Sequence, residues 1–115
     1  MPFIKTTTNI SISPNSQENL RKRYVDIINL IPGKGSWLMT GFATIPLSFK
    51  DETFPAAFVE VQLFGTTDKE TYDSLTAAVT SIISEELDIH PERIYIAYYS
   101  TPYWGWNGKN FEKKE

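Results

Sequence analysis

A proline stands at position 2, directly after Met1. Once Met1 is cleaved, Pro2 carries a secondary amine as the free N-terminus. An α-amino group titrates at about 7.7–8.0 in ordinary peptides, far nearer neutrality than a lysine side chain. Burial in an apolar pocket, or a cation close by, disfavours its protonated form and lowers that value further. The result is a general base poised at neutral pH. The same residue also fits a plain structural role, as a proline opening a strand at a sheet edge. Position and residue type alone do not choose between the two.

The other candidates carry less. The single histidine, His90, lies in Asp88-Ile89-His90-Pro91-Glu92-Arg93, which reads as a turn between a helix end and a strand. Glu85-Glu86 falls late in a helical stretch and reads as a solvated face, Asp51-Glu52 as part of a surface loop. Gly33-x-Gly35 is too short for a phosphate cradle and has no helix after it. There are no cysteines, which removes disulfides, thiolate metal sites, CxxC redox chemistry and cysteine nucleophiles together. No metal-ligand cluster is visible. What does stand out is aromatic density. Tyr95, Tyr98, Tyr99, Tyr103, Trp104, Trp106 and Phe111 crowd the last fifth of the chain, more than the edge of a small sheet needs for packing.

The elements that must hold these residues come in a repeated order. Phe3 to Ile12 alternates partly and reads as a strand. Ser13 can cap a helix with Pro14 at its first position, and Leu20, Tyr24, Ile27, Ile28 and Ile31 form its apolar stripe. Pro32-Gly33-Lys34-Gly35 stops it, Trp37 to Thr44 is a second strand, and Pro46 to Pro55 a connector. Ala57 to Phe64 then alternates strictly, with Ala57, Val59, Val61 and Leu63 on one face and Phe58, Glu60, Gln62 and Phe64 on the other. Thr67-Asp68-Lys69-Glu70 reads as a capping box with Thr67 as the cap. Tyr72, Leu75, Val79, Ile82, Ile83 and Leu87 mark the second helix, Ile94 to Ser100 a fourth strand, and Asn107-Gly108 a tight hairpin at the tail.

These 115 residues, with 41% hydrophobic and 22% charged positions and a net charge of −3, suit one α+β domain with a real core. The pattern predicts a two-layer fold of duplicated βαβ units, residues 2–54 and 55–111. A four-stranded mixed sheet carries two helices on one face, with a C-terminal hairpin added. Each crossover makes its strand pair parallel. If the first strand pairs antiparallel with Ala57 to Phe64, Pro2 comes to lie beside Phe64. The opposite sheet face, half aromatic, then has no cover within the chain, and association with further copies is the simplest cover. The near-neutral charge without a basic cluster argues against nucleic acid. No apolar run is long enough to span a membrane, and no signal peptide is apparent, so the chain reads as cytoplasmic, with export lacking a signal as the second location.

Met1-Pro2, Gly33-Lys34, Pro91-Glu92-Arg93-Ile94-Tyr95-Ile96 and Gly105-Trp106-Asn107-Gly108-x-x-Phe111 occur together and in order. With them the chain resembles the macrophage migration inhibitory factor and D-dopachrome tautomerase family over essentially its whole length. The resemblance implies a homotrimer whose three sheets wrap into a barrel with the helices outside. It implies keto–enol tautomerisation of small aromatic α-keto acids such as phenylpyruvate, without a cofactor. Pro2 matches the family's catalytic proline and Lys34 the lysine near it, which would hold the substrate carboxylate and depress the amine pKa. Tyr95 matches a tyrosine reaching in from the neighbouring subunit. Phe64, Trp104, Trp106 and Phe111 match the lining of the hydrophobic pocket.

The chain departs from the family's best-known member at four places. Pro55-Ala56-Ala57-Phe58 stands where that member has CxxC. Ala97 stands where it has an asparagine beside the ring of the substrate. Phe64 and Trp104 stand where it has aliphatic residues, so the pocket should be narrower and more aromatic. Two other classes of function are compatible with the same residues: a cytokine-like signalling protein keeping a vestigial pocket, with an unknown receptor, and a ligand-binding trimer without turnover.

Overall fold

A computed structural model describes residues 1–32 and 37–113. Its elements follow the chain as β1 (Pro2–Thr8), α1 (Pro14–Ile27), β2 (Met39–Thr44), β3 (Ala57–Phe64), α2 (Lys69–Leu87), β4 (Ile94–Thr101), β5 (Tyr103–Trp106) and β6 (Lys109–Glu112). A turn of 3-10 helix, Ile28–Leu30, prolongs α1, and another, Pro91–Arg93, leads into β4. The sheet order is β2-β1-β3-β4, and β5 with β6 forms a separate ribbon. Both βαβ crossovers join parallel strands, β1 to β2 and β3 to β4, while the two units meet antiparallel through β1 and β3.

The core lies between the sheet and the two helices. From the sheet come Ile4, Val59, Val61 and Leu63, all fully buried, and from the helices Leu20, Tyr24, Leu75, Val79 and Ile83. These are the alternate strand positions and the three-and-four helical positions of the sequence pattern. Two polar contacts fasten helix to sheet within this layer. The Tyr24 hydroxyl and Thr6 Oγ1 share a buried 2.6 Å hydrogen bond. Tyr98 Oη lies 2.7 Å from Thr76 Oγ1 and donates more weakly to the Tyr72 carbonyl. The helices pack on each other as well, with Arg23 of α1 paired to Glu85 and Glu86 of α2. Those two glutamates are thus partners of an arginine and not a bare solvated face.

Several boundaries differ from the sequence reading for local reasons. β1 ends at Thr8 and not at Ile12, because side chains take over there. Thr8 donates to the Ile10 carbonyl at 2.6 Å, and Asn9 bonds the connector, accepting from Ala56 N–H at 2.8 Å and donating to the Phe54 carbonyl at 2.9 Å. β2 begins at Met39, the partner of Phe3, since β1 supplies no earlier pairing for Trp37. The cap of α2 is Asp68 and not Thr67. Its carboxylate accepts from Thr71 N–H at 2.7 Å, a charge-assisted bond that the helix dipole favours over a hydroxyl one position earlier. That bonding holds the Asp68 carboxyl below its ordinary range. Ser13 caps α1 as read, accepting from Ser16 N–H at 3.1 Å.

Away from the helices, the second sheet face carries Phe3 and Met39, Phe58 and Tyr95, and Tyr99 opposite Gln62. Met39 is 66% exposed, Tyr95 58% and Tyr99 49%. No helix among the described residues is long and apolar enough to cross a membrane.

Candidate active site

Pro2 opens β1 and is buried. Its place follows from two registers. Across β3 its partner is Leu63, next to Phe64, and on the other side Phe3 pairs with Met39, so the residues leading into β2 arrive beside it. The β5–β6 ribbon closes a third side. Its turn, Asn107-Gly108, has φ of 54° and 75°, the doubly left-handed geometry of a two-residue hairpin, which asparagine and glycine tolerate best. Trp106 pairs with Lys109 and Trp104 with Phe111 across it.

These three approaches enclose a cavity of about 390 Å³. The chain start gives Met1, Pro2 and Phe3, the entry to β2 gives Trp37, Leu38 and Met39, and β5 gives Trp104, Gly105 and Trp106. Trp37 and Trp106 pack against one another within its lining, ring centroids 5.2 Å apart and planes tilted by 51°. The ring of Phe111 backs Trp106 at 6.2 Å. Among the described residues the lining holds no Asp, Glu, Lys or Arg side chain; besides the chain's own N-terminal amine, its nitrogen-bearing side chains are the indoles.

The expected site residues divide accordingly. Pro2, Trp104 and Trp106 meet in this cavity. Phe111 supports it from behind and does not line it. Phe64 is buried at 7% exposure and does not line the cavity; the Lys113 ammonium lies 5.2 Å from its ring centroid. Lys113 is held there by its backbone N–H, bonded to the Pro102 carbonyl at 2.7 Å. Lys34 lies outside the described residues.

Tyr95 is far from Pro2 of its own chain. It pairs with Phe58, which pairs with Thr7, so the two stand five strand positions apart along the sheet. At roughly 3.3 Å per residue that is about 17 Å. Trp37, Leu38 and Met39 are lining residues that the sequence reading did not single out. The parallel pairing of the first two strands was the signal that could have found them.

The sequence profile of the macrophage migration inhibitory factor family matches residues 1–112. Among solved structures, MIF2 of Leishmania major superposes with a TM-score of 0.90 at 37% identity, over 96% of this chain and 97% of that one. The homologue from Prochlorococcus marinus gives 0.84 at 25% identity, over 95% and 98%. The Toxoplasma gondii factor gives 0.86 at 19%, over 95% and 99%, a likeness of fold alone. A comparison with curated protein sequences finds no significant match. The two-layer fold is that of the tautomerase superfamily. Within it, this chain belongs to the macrophage migration inhibitory factor family.

Proposed function

We propose that the protein is a cofactor-independent tautomerase that interconverts the keto and enol forms of small aromatic α-keto acids such as phenylpyruvate. The observation that carries this reading is the burial of Pro2 in a cavity walled by tryptophans. With Met1 removed, the Pro2 nitrogen is a secondary amine whose protonated form is disfavoured by apolar surroundings. It takes the proton from the carbon next to the ketone, the C–H electrons form the enolate C=C bond, and the ketone π pair moves onto oxygen. Return of that proton to the oxygen gives the enol, and the reverse path restores the ketone. The substrate ring stacks among Trp37, Trp104 and Trp106, and Lys34 holds the carboxylate.

Tyr95 reaches the same pocket from a neighbouring subunit. What supports this is its distance from its own Pro2, together with its exposure on a sheet face rich in aromatic residues. Three such faces packed together give a trimer with three pockets at its subunit boundaries. A second reading, ligand binding without turnover, is favoured only if Met1 stays, because the nitrogen is then an amide and Met1 itself fills part of the cavity wall.

The test is enol–keto conversion of phenylpyruvate by protein whose intact mass shows Met1 lost, beside Pro2→Gly. Wild-type turnover with an acidic limb below the ordinary amine value, lost in Pro2→Gly, is expected. Equal rates in the two proteins would remove the proline from the mechanism. A monomeric mass in solution would remove the shared pocket.

A further inference from the structure

The Tyr95 ring stands 58% exposed, and its hydroxyl makes no hydrogen bond among the described residues. Its direction is therefore set by ring packing, and two phenylalanines supply it. Phe58, its partner across β3 and β4, meets it edge-on with centroids 6.4 Å apart. Phe49 meets it closer, at 5.2 Å and 74°. Phe58 is fixed by the sheet. Phe49 lies in the connector between β2 and β3 and owes nothing to the main ladder.

What fixes Phe49 is a miniature hairpin and an arginine. Phe49 and Glu52 exchange backbone bonds of 2.8 and 3.0 Å around Lys50 and Asp51, which take φ of 52° and 61°. The Arg93 guanidinium then lies beneath the connector. It donates to the carbonyls of Pro55 and Phe54 at 2.9 Å each, Glu52 at 3.2 Å and Phe49 at 3.5 Å. Its centre also sits 5.2 Å from the Phe49 ring centroid. Only a planar fork with donors in several directions can bond this many carbonyls at once, which a lysine cannot do. Only Ile94 separates Arg93 from Tyr95, so the brace and the ring it steers start from the same turn.

We propose that Phe49, held by Arg93, is a positioning residue for Tyr95, setting the angle at which the phenol leaves its own subunit. The role in catalysis rests on the proposed placement of Tyr95 in the neighbouring pocket. The orientation itself does not. Losing the closer ring contact leaves Tyr95 with one aromatic partner among the described residues and a wider range of side-chain angles.

The experiment uses the full chain with Met1 removed and tyrosine rings labelled with carbon-13, the Tyr95 signal being assigned by its disappearance in Tyr95→Phe. In Phe49→Leu and in Arg93→Lys the Tyr95 ring signals should shift and the others stay, and Phe49→Tyr should restore them. KM for phenylpyruvate should rise about 3- to 10-fold in Phe49→Leu, the scale of one aromatic pair, with kcat within about twofold and the acidic limb of the pH profile unmoved. On a Tyr95→Ala background the same substitution should do nothing more. An unchanged Tyr95 signal in Phe49→Leu overturns the proposal, as does an undiminished rise in KM on the Tyr95→Ala background. Absence of turnover in the wild-type protein overturns the tautomerase reading instead, and the ring spectrum alone then decides the brace.

Discussion

Tyr24→Phe removes one oxygen from the layer between α1 and the strand that carries Pro2. The phenol and Thr6 Oγ1 are 2.6 Å apart, and both residues have no exposed surface. The lost bond is worth about 1 kcal/mol net, and the stranded threonine hydroxyl adds about 1–2 kcal/mol of uncompensated desolvation. The expected loss is about 2–3 kcal/mol. For a domain this size each kcal/mol moves the melting temperature by about 4 °C, so thermal unfolding should come about 8–12 °C earlier. Adding Thr6→Val replaces the second partner by an apolar group of the same shape and should recover most of the loss. If Thr6→Val deepens the loss in the Tyr24→Phe background, the hydroxyl pair is not what makes this contact stabilising.

The same phenol gives the pH dependence a definite sign. Burial pushes Tyr24 above its ordinary 10.0, with the Thr6 bond pulling slightly back, and burial raises Tyr98 likewise. Above pH 10 the unfolded chain releases protons that the folded chain keeps. Stability is therefore intact below that value and falls as pH rises toward the folded values. Tyr24→Phe should make the alkaline fall shallower in denaturant titrations, and an unchanged slope would contradict the burial argument.

Two predictions concern the pocket. Trp106→Ala removes the ring that faces Trp37 at 5.2 Å and should raise KM for phenylpyruvate about 3- to 10-fold while sparing kcat; a selective fall in kcat would place Trp106 in the chemistry instead. Because the described lining offers little besides indole N–H groups, a para-hydroxyl on the substrate ring meets few partners. Its kcat/KM should be lower by about 10- to 100-fold, and equal values would point to a polar group reaching the ring from elsewhere.

The fold was legible wherever burial imposes a period. Ala57 to Phe64 shows this best, since a strand with one face against helices must alternate, and its bounds coincide with the observed ones. The Asn107-Gly108 turn was equally plain, because few residues accept its backbone angles. Boundaries governed by single side chains were harder. Thr8, Asn9 and Asp68 shift the ends of β1 and α2 through local hydrogen bonds that leave no periodic trace. At the candidate site, Pro2 and the two late tryptophans, singled out from residue type and resemblance, line one cavity. Trp37 was not singled out, since it reaches the cavity only through the pairing of two strands far apart in sequence. Phe64 and Phe111, also expected in the wall, are not among its lining residues, Phe111 meeting the cavity only through the ring of Trp106.

The span between Pro2 and Tyr95 on a single sheet means that, in the proposed trimer, every chain serves two reaction centres, as the base of one and the gatepost of another. A defect at Pro2 and a defect at Tyr95 are then complementary. Mixed assemblies of the two crippled forms regenerate some centres with neither lesion and concentrate both lesions in others. Activity above the sum of the two separate preparations, when they are unfolded and refolded together, would be the biochemical signature of that division of labour. Dilution below the concentration at which the chains associate would extinguish it.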